Sequence, residues 1–196
     1  MNKTWFTSDL HLGDDRIGTK DISTNLFFRP FETVDEQNKT IINNINKLVD
    51  KDDYLYILGD VCYSKESVYL LEQINCKNLY LTVGNYDEDK IDLLAPYFIS
   101  INNDYSNKFV NNSEFSDELL EIIMCHYPTR ALLYLGNNFE NKLALTGHIH
   151  GLWKVQRNMI NVSTDAWHFR PVSLEQILFC RNAMLNYYDK NVFPYN

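Results

Sequence analysis

Five short apolar runs, each stopping abruptly at a polar side chain, constrain this chain more than any other feature. They read "KTWFTSD", "DYLYILGD", "NLYLTVGN", "LLEIIMCH" and "KLALTGH". Runs of Val, Ile, Leu and Tyr bounded by Gly or polar residues are the pattern of buried strands rather than helices. Between the first two lies "VDEQNKTIINNINKLVDK" (34–51), with Ile41, Ile45, Leu48 and Val49 at helical spacing. Between the second and third, "SKESVYLLEQIN" (64–75) puts Val68, Leu71 and Ile74 on one face and is expected to form a second helix. Strands alternating with helices fold as βαβ units, with parallel strands and right-handed crossovers.

The pattern changes after Pro96. "YFISIN", "SNKFVN" and "LLEIIMC" follow with little helical periodicity between them, which predicts antiparallel or mixed pairing. The Asn-rich stretch 101–118 reads as a polar hairpin or loop insertion. Further on, "GLWKVQRNMINVST" (151–164) alternates as a hairpin. "SLEQILFCRNAML" (173–185) opens with a Ser-x-x-Gln cap before a final helix. The expectation is one mixed α/β domain over residues 1–196, with two sheets.

Composition narrows the partners. A hydrophobic content of 45% with 14% aromatic residues supports a folded core. The net charge of -8 provides no basic footprint for long nucleic acid or an anionic membrane, so small partners are expected. No run approaches the roughly 18 apolar residues of a membrane helix. Cys62, Cys76, Cys125 and Cys180 are widely spaced without a CxxC, and no leader-like apolar run opens the chain. Free thiols in a reducing cytoplasm are expected.

What stands at the carboxyl ends of the five runs is chemically uniform. The first ends at Asp9-Leu10-His11, the second at Gly59-Asp60, the third at Gly84-Asn85, the fourth at His126, and the fifth at Gly147-His148-Ile149-His150. Ligands of open α/β sheets bind beyond the carboxyl ends of the strands, so these side chains are in a position to converge. A Gly before Asp60, Asn85 and His148 lets the backbone turn sharply and a bulky cluster approach. If the extended conformation persists by two residues, Asp9 and His11 point the same way, as do His148 and His150. Two Asp, one Asn and four His are too many for one tetrahedral ion and suit two neighbouring ions sharing a carboxylate. Nitrogen and oxygen ligands without thiolate favour Mn, Fe, Zn, Ni or Co over Mg or Ca.

The series Asp9-x-His11, Gly59-Asp60, Gly84-Asn85-x-Asp87, His126 and Gly147-His148-x-His150 resembles the calcineurin-like metallophosphoesterases. "INVSTDAWHFRPVSLEQI" (160–177) is similar to the closing strand and helix of small bacterial and phage members. The resemblance implies a two-sheet β-sandwich flanked by helices, in four layers (αββα). It implies one metal at Asp9, His11, Asp60 and His150, and a second at Asp60, Asn85, His126 and His148, with Mn favoured. It also implies in-line attack on phosphorus by a hydroxide bridging the two metals.

The chain departs from the family at one position. The motif is usually Gly-Asn-His-Asp or Gly-Asn-His-Glu, whose His is assigned to protonate the leaving group; here the residue is Tyr86, between Asn85 and Asp87. A free Tyr, with a pKa of about 10 against about 6.5 for His, holds its proton more tightly. The resemblance makes Asn85, Tyr86 and Asp87 the expected catalytic stretch, in which Tyr86 is a poorer acid, a stacking surface for a nucleobase, or a filler over the site. A phosphodiester or activated ester of a small or nucleotide-like molecule is therefore the expected substrate, with Tyr127, Arg130 and Arg29 as candidate substrate contacts. A nuclease acting on single strands or ends, and a scaffold without turnover, are the competing readings.

Overall fold

The computed structural model describes residues 2–17, 29–113, 116–137 and 141–186. In chain order the elements are β1 (Thr4–Thr7), α1 (Val34–Leu48), β2 (Tyr54–Ile57), a 3-10 helix (Lys65–Gln73), β3 (Asn78–Thr82), α2 (Ile91–Leu94) and β4 (Ser100–Asn102). There follow β5 (Asp104–Ser113), β6 (Ser116–Cys125), α3 (Pro128–Leu135), β7 (Lys142–Thr146), β8 (Val155–Gln156), β9 (Met159–Asn161), β10 (Val172–Ser173) and α4 (Leu174–Asn186).

Two five-stranded sheets form, ordered β10-β1-β2-β3-β4 and β5-β6-β7-β9-β8. In the first, β1 to β4 are parallel and β10 runs antiparallel along β1. In the second, the parallel trio β6-β7-β9 is flanked by antiparallel β5 and β8. The Asn-rich stretch becomes the β5–β6 hairpin, paired from Asp104↔Cys125 to Ser113↔Ser116, with its turn at 114–115 outside the described residues. The 151–164 hairpin is the antiparallel β8–β9 pair.

The core is stacked in layers. Phe6 and Leu58 from the first sheet meet Leu120, Ile122, Met124, Leu143, Leu145 and Ile160 from the second, closed at one end by Val172 and Ile177. Phe6, Tyr56 and Tyr80 continue this seam as stacked rings, 5.7 Å and 4.8 Å apart. On the outer face of the first sheet, Ile41, Ile42 and Ile45 of α1 pack on Leu55, Ile57, Leu79 and Leu81. Ala131 and Leu135 of α3 cover the second sheet at Ile123, Cys125 and Ala144. Helix, sheet, sheet and helix therefore follow one another, the arrangement of the metallophosphoesterase fold.

Local sequence explains the helix ends. Thr33 caps α1 by accepting from the Glu36 backbone N–H at 3.1 Å, and Ser173 and Gln176 exchange the reciprocal bonds of a capping box at 3.0 and 3.2 Å. The segment expected as a second helix is helical, in the 3-10 form. Val68, Leu70 and Leu71 within it and Ile74 just after it are buried against the first sheet's core. All four cysteines are free thiols. No helix among the described residues is long and apolar enough to cross a membrane.

At the opposite end of the sheet from the strand exits, buried Asp53 ties the start of β2 to β1. Its carboxylate accepts from the Lys3 backbone N–H at 2.7 Å, Trp5 Nε1 at 2.8 Å and the Asp50 backbone N–H at 3.1 Å. Burial works to raise its pKa, but the bonds from Lys3, Trp5 and Asp50 outweigh it and hold the group below its ordinary value. A carboxylate depressed in the folded state stabilises above its unfolded pKa of about 3.9 and loses that contribution as pH falls further. Asp53→Ala should therefore cost about 1 to 3 kcal/mol at pH 7 in urea unfolding, with the gap from wild type narrowing below about pH 4. A gap that is constant with pH would contradict this.

Candidate metal centre

All five apolar runs end on the same side of the molecule, where the two sheets meet. Ser8 after β1 bridges to Ser163 after β9, and the Thr164 N–H donates to the Ser8 carbonyl at 3.0 Å, joining one sheet to the other. The chain does not stay extended there, contrary to the expected alternation of side chains. Asp9, His11, Asp60, His148 and His150 all adopt left-handed backbone angles, with φ of 55°, 45°, 56°, 72° and 49°. Asp, Asn and His tolerate this region better than other non-glycine residues, at a cost of order 1 kcal/mol or more each. The turns send Asp9 and His11 to one place, but divide His148 from His150.

Close approach rather than turn geometry explains Gly84, whose φ is not positive. A Cβ there would collide with Asp60 Oδ1, and one on Gly59 would collide with the His126 ring. Gly59 also needs its φ of 89°.

Two groups of side chains result, Asp9 with His11 and His150, and Asp60 with His126 and His148; in each, the candidate donor atoms lie within 4.8 Å of one another. Asp60 stands between them, its Oδ2 3.5 Å from His11 Nε2 and 3.4 Å from His126 Nε2. The Asn85 Oδ1 joins the second group, 3.2 Å from His126 Nε2 and 3.1 Å from His148 Nδ1. His150 Nε2 lies 3.9 Å from Asp9 Oδ1.

Surrounding groups aim these atoms. Nδ1 of His126 donates to the Leu58 carbonyl at 2.7 Å, and Nδ1 of His150 to Asp165 Oδ2 at 2.8 Å, which turns both Nε2 atoms inward. Asp9 accepts from the Ser8 hydroxyl at 2.6 Å and the His148 N–H at 3.0 Å. Burial, reinforced by the Arg29 charge, lowers the His11 pKa well below its ordinary value, and burial with the His126 charge lowers His148. Burial also opposes charge on His126 and Asp60. The His126–Asp60 bond overrides it, raising His126 to about 9 and lowering Asp60.

Two residues expected at the reacting centre stand behind it. Arg29, expected at a phosphate, is buried; its guanidinium forks onto Asp165 at 2.9 and 2.8 Å and also donates to the Leu10 carbonyl and Gln37. Asp87, expected to be catalytic, accepts from the backbone N–H groups of Asp60, Val61 and Gly84 at 2.8, 3.0 and 2.9 Å, so it positions the loops. Burial raises its pKa to about 6. Arg130 pairs with Asp104 at 2.7 Å rather than with the cluster. Tyr127 does border it, its ring 4.8 Å from both His126 and His148. Tyr86 sets its ring 4.8 Å from His11, edge-on, and donates its backbone N–H to Asp60 Oδ1 at 2.9 Å.

Asp165 is the residue the five runs do not point to. It follows a sixth strand end, β9, where "MINVSTD" repeats the same punctuation, an apolar run closing on Ser-Thr-Asp. Held below the usual carboxylate range by His150 and Arg29 despite burial, it is a permanent anion behind His150.

The donor set fits divalent metal. Imidazole nitrogens converge here with carboxylate and amide oxygens, the donor atoms that a divalent transition metal takes. A model of the calcineurin-like phosphoesterase family matches residues 3–120. The chain belongs to that family. Its members typically bind divalent metals, and the two residue groups are the candidate sites for them here. An uncharacterized protein of Methanocaldococcus jannaschii is 28% identical over 91% of this chain and 90% of its own length. The gene 66 protein of Mycobacterium phage L5 is 26% identical over 90% of this chain and 93% of its own. The crystal structure of a protein of unknown function from Aquifex aeolicus shares the fold, with a TM-score of 0.65 at 22% identity, covering 90% of this chain and 98% of that one.

Asp165→Asn keeps the size of the side chain but removes the charge that orients His150. It should weaken Mn²⁺ binding about 10- to 100-fold by isothermal titration, and because it also takes the carboxylate from the buried Arg29 guanidinium, urea unfolding of the same variant separates lost affinity from lost fold. Unchanged affinity would show that His150 needs no such support.

Proposed function

We propose that this phosphoesterase hydrolyses a phosphodiester, or an activated phosphomonoester, of a small nucleotide-like molecule. The observation that carries the reading is the position of Asp60 Oδ2 between His11 and His126, about equally distant from each. On this reading Asp9, His11, Asp60 and His150 hold one divalent cation, and Asp60, Asn85, His126 and His148 hold the other. When bound, such cations supply positive charge to phosphoryl oxygens and make water a stronger nucleophile near neutral pH.

The chain's own residues do the rest. Asp87 and Gly84 fix the Asp60 loop against its neighbour, and Leu58 and Asp165 fix the two imidazoles. Tyr127 walls the second group. On this reading Tyr86, beside His11, meets a substrate oxygen with a phenol, and a free phenol is a weaker acid than a free imidazolium. General acid catalysis is worth about 10² to 10⁴ in rate, chiefly for poor leaving groups. Its weakening favours diesters and aryl esters over alkyl monoesters. Mn²⁺ is the cation the family likeness favours, and the acidic chain favours a small substrate over a long nucleic acid.

Protein stripped with a chelator and reloaded with Mn²⁺, Zn²⁺, Ni²⁺ or Mg²⁺ should hydrolyse bis-p-nitrophenyl phosphate only when loaded. Tyr86→His should raise hydrolysis of alkyl monoesters about tenfold or more relative to aryl diesters. Identical ester profiles for the two proteins would contradict the assigned preference, and turnover that survives chelation would contradict the metal-dependent reading.

A further inference from the structure

The turn after β1 carries a second device beside the metal ligands, assembled from three strand-exit loops. Asp14, buried, donates its N–H to the His11 carbonyl at 3.2 Å, so it is rooted in the turn that presents His11. Its carboxylate grips Arg16 in a fork, Oδ1 accepting from Nε at 2.8 Å and Oδ2 from Nη2 at 2.6 Å. The guanidinium then lies 4.7 Å from the ring of Tyr63, in the loop after β2, and 5.7 Å from the ring of Tyr86, in the loop after β3. The loops are themselves tied together, Leu12 N–H donating to the Val61 carbonyl and Tyr63 N–H to the Leu12 carbonyl. Arg16 therefore has its plane set by a carboxylate on one edge and an aromatic face beneath.

The third contact carries the consequence. Nη1 of Arg16 donates to the Tyr86 hydroxyl at 3.3 Å. A guanidinium has no acceptor, so in this contact the phenolic oxygen accepts and keeps its own O–H for a different partner. The Tyr86 ring stands edge-on to His11, and its backbone is bonded to Asp60, so both ends of the residue are fixed next to the cluster.

We propose that Arg16 is a positioning residue that, braced by Asp14, directs the Tyr86 O–H at an oxygen of the phosphate ester bound at the clustered histidines. This rests on the phosphoesterase reading above and assigns its substrate a hydrogen-bond donor. Arg16 acts through Tyr86 and not by touching the phosphate.

The full chain loaded with Mn²⁺ tests this with Tyr86→Phe, Arg16→Met, Arg16→Lys and the Tyr86→Phe/Arg16→Met double variant, with Tyr86→Phe/Arg16→Lys as its control. Two readouts are taken: kcat on bis-p-nitrophenyl phosphate, and affinity for inorganic phosphate by isothermal titration. Each single removal should lower both about tenfold, the worth of one hydrogen bond, and the double variant should be no worse than either. Arg16→Lys should recover part of the loss where Tyr86 is present and none where Phe replaces it. Because Arg16→Met strands the buried Asp14 carboxylate, Asp14→Asn/Arg16→Met is made alongside and should show the same loss. Multiplicative losses in the double variant, or wild-type behaviour of Arg16→Met, would overturn the proposal. If wild type hydrolyses no ester with any metal, the hydrolase reading fails by itself, and the phosphate titration judges Arg16 by the same criteria.

Discussion

One carboxylate oxygen sets the terms for the top of this molecule. Oδ2 of Asp60 approaches an imidazole nitrogen from each sheet, His11 from the first and His126 from the second, at 3.5 and 3.4 Å. Buried charge is tolerated only where partners meet it closely, and removing one partner from such an arrangement typically costs about 3 to 5 kcal/mol. The neighbouring loops are shaped to this demand. Gly84 lacks the Cβ that Asp60 would strike, Asp87 gathers the backbone N–H groups on either side, and Tyr86 lends its N–H to the other carboxylate oxygen.

The same demand accounts for the concentration of left-handed residues. Five of the seven clustered side chains sit at positive φ, of order 1 kcal/mol or more each, and a fold accepts that only where the surroundings over-determine it. Here they do. Asp9 N–H donates to the Gly59 carbonyl at 2.9 Å, His11 N–H to the Asp60 carbonyl at 3.0 Å, and Gly147 N–H to the His126 carbonyl at 3.0 Å, prolonging the strand pairing past the formal ends of the strands. Paired parallel strands with strained exits hold four imidazoles where a flexible loop would let them part. Stability is given up locally so that the donor atoms converge.

How much of this was legible in the residues follows from what each signal encodes. The apolar runs marked the strands because their buried positions are kept almost free of charge until the strand ends, and polar side chains at those ends marked the convergence. Backbone conformation beyond the ends carries no such mark. Asp9-x-His11 reads as alternation, yet the chain turns left-handed at both residues. Arg29 reads as a phosphate contact because its type suits phosphate, but its burial against Asp165 is a tertiary fact with no local pattern. Asp87 likewise reads as part of the motif while its carboxylate is spent on backbone N–H groups. Asp165 was within reach, since β9 closes on a polar residue as the other five strands do.

The central claim is that the seam between the sheets is a pair of cation sites sharing Asp60. Anomalous diffraction from crystals soaked in Mn²⁺, with elemental analysis of the same protein, tests it directly. The account predicts two ions per chain, one among Asp9, His11 and His150 and one among Asn85, His126 and His148, with Asp60 touching both. A single ion, or two ions of which only one touches Asp60, would contradict it.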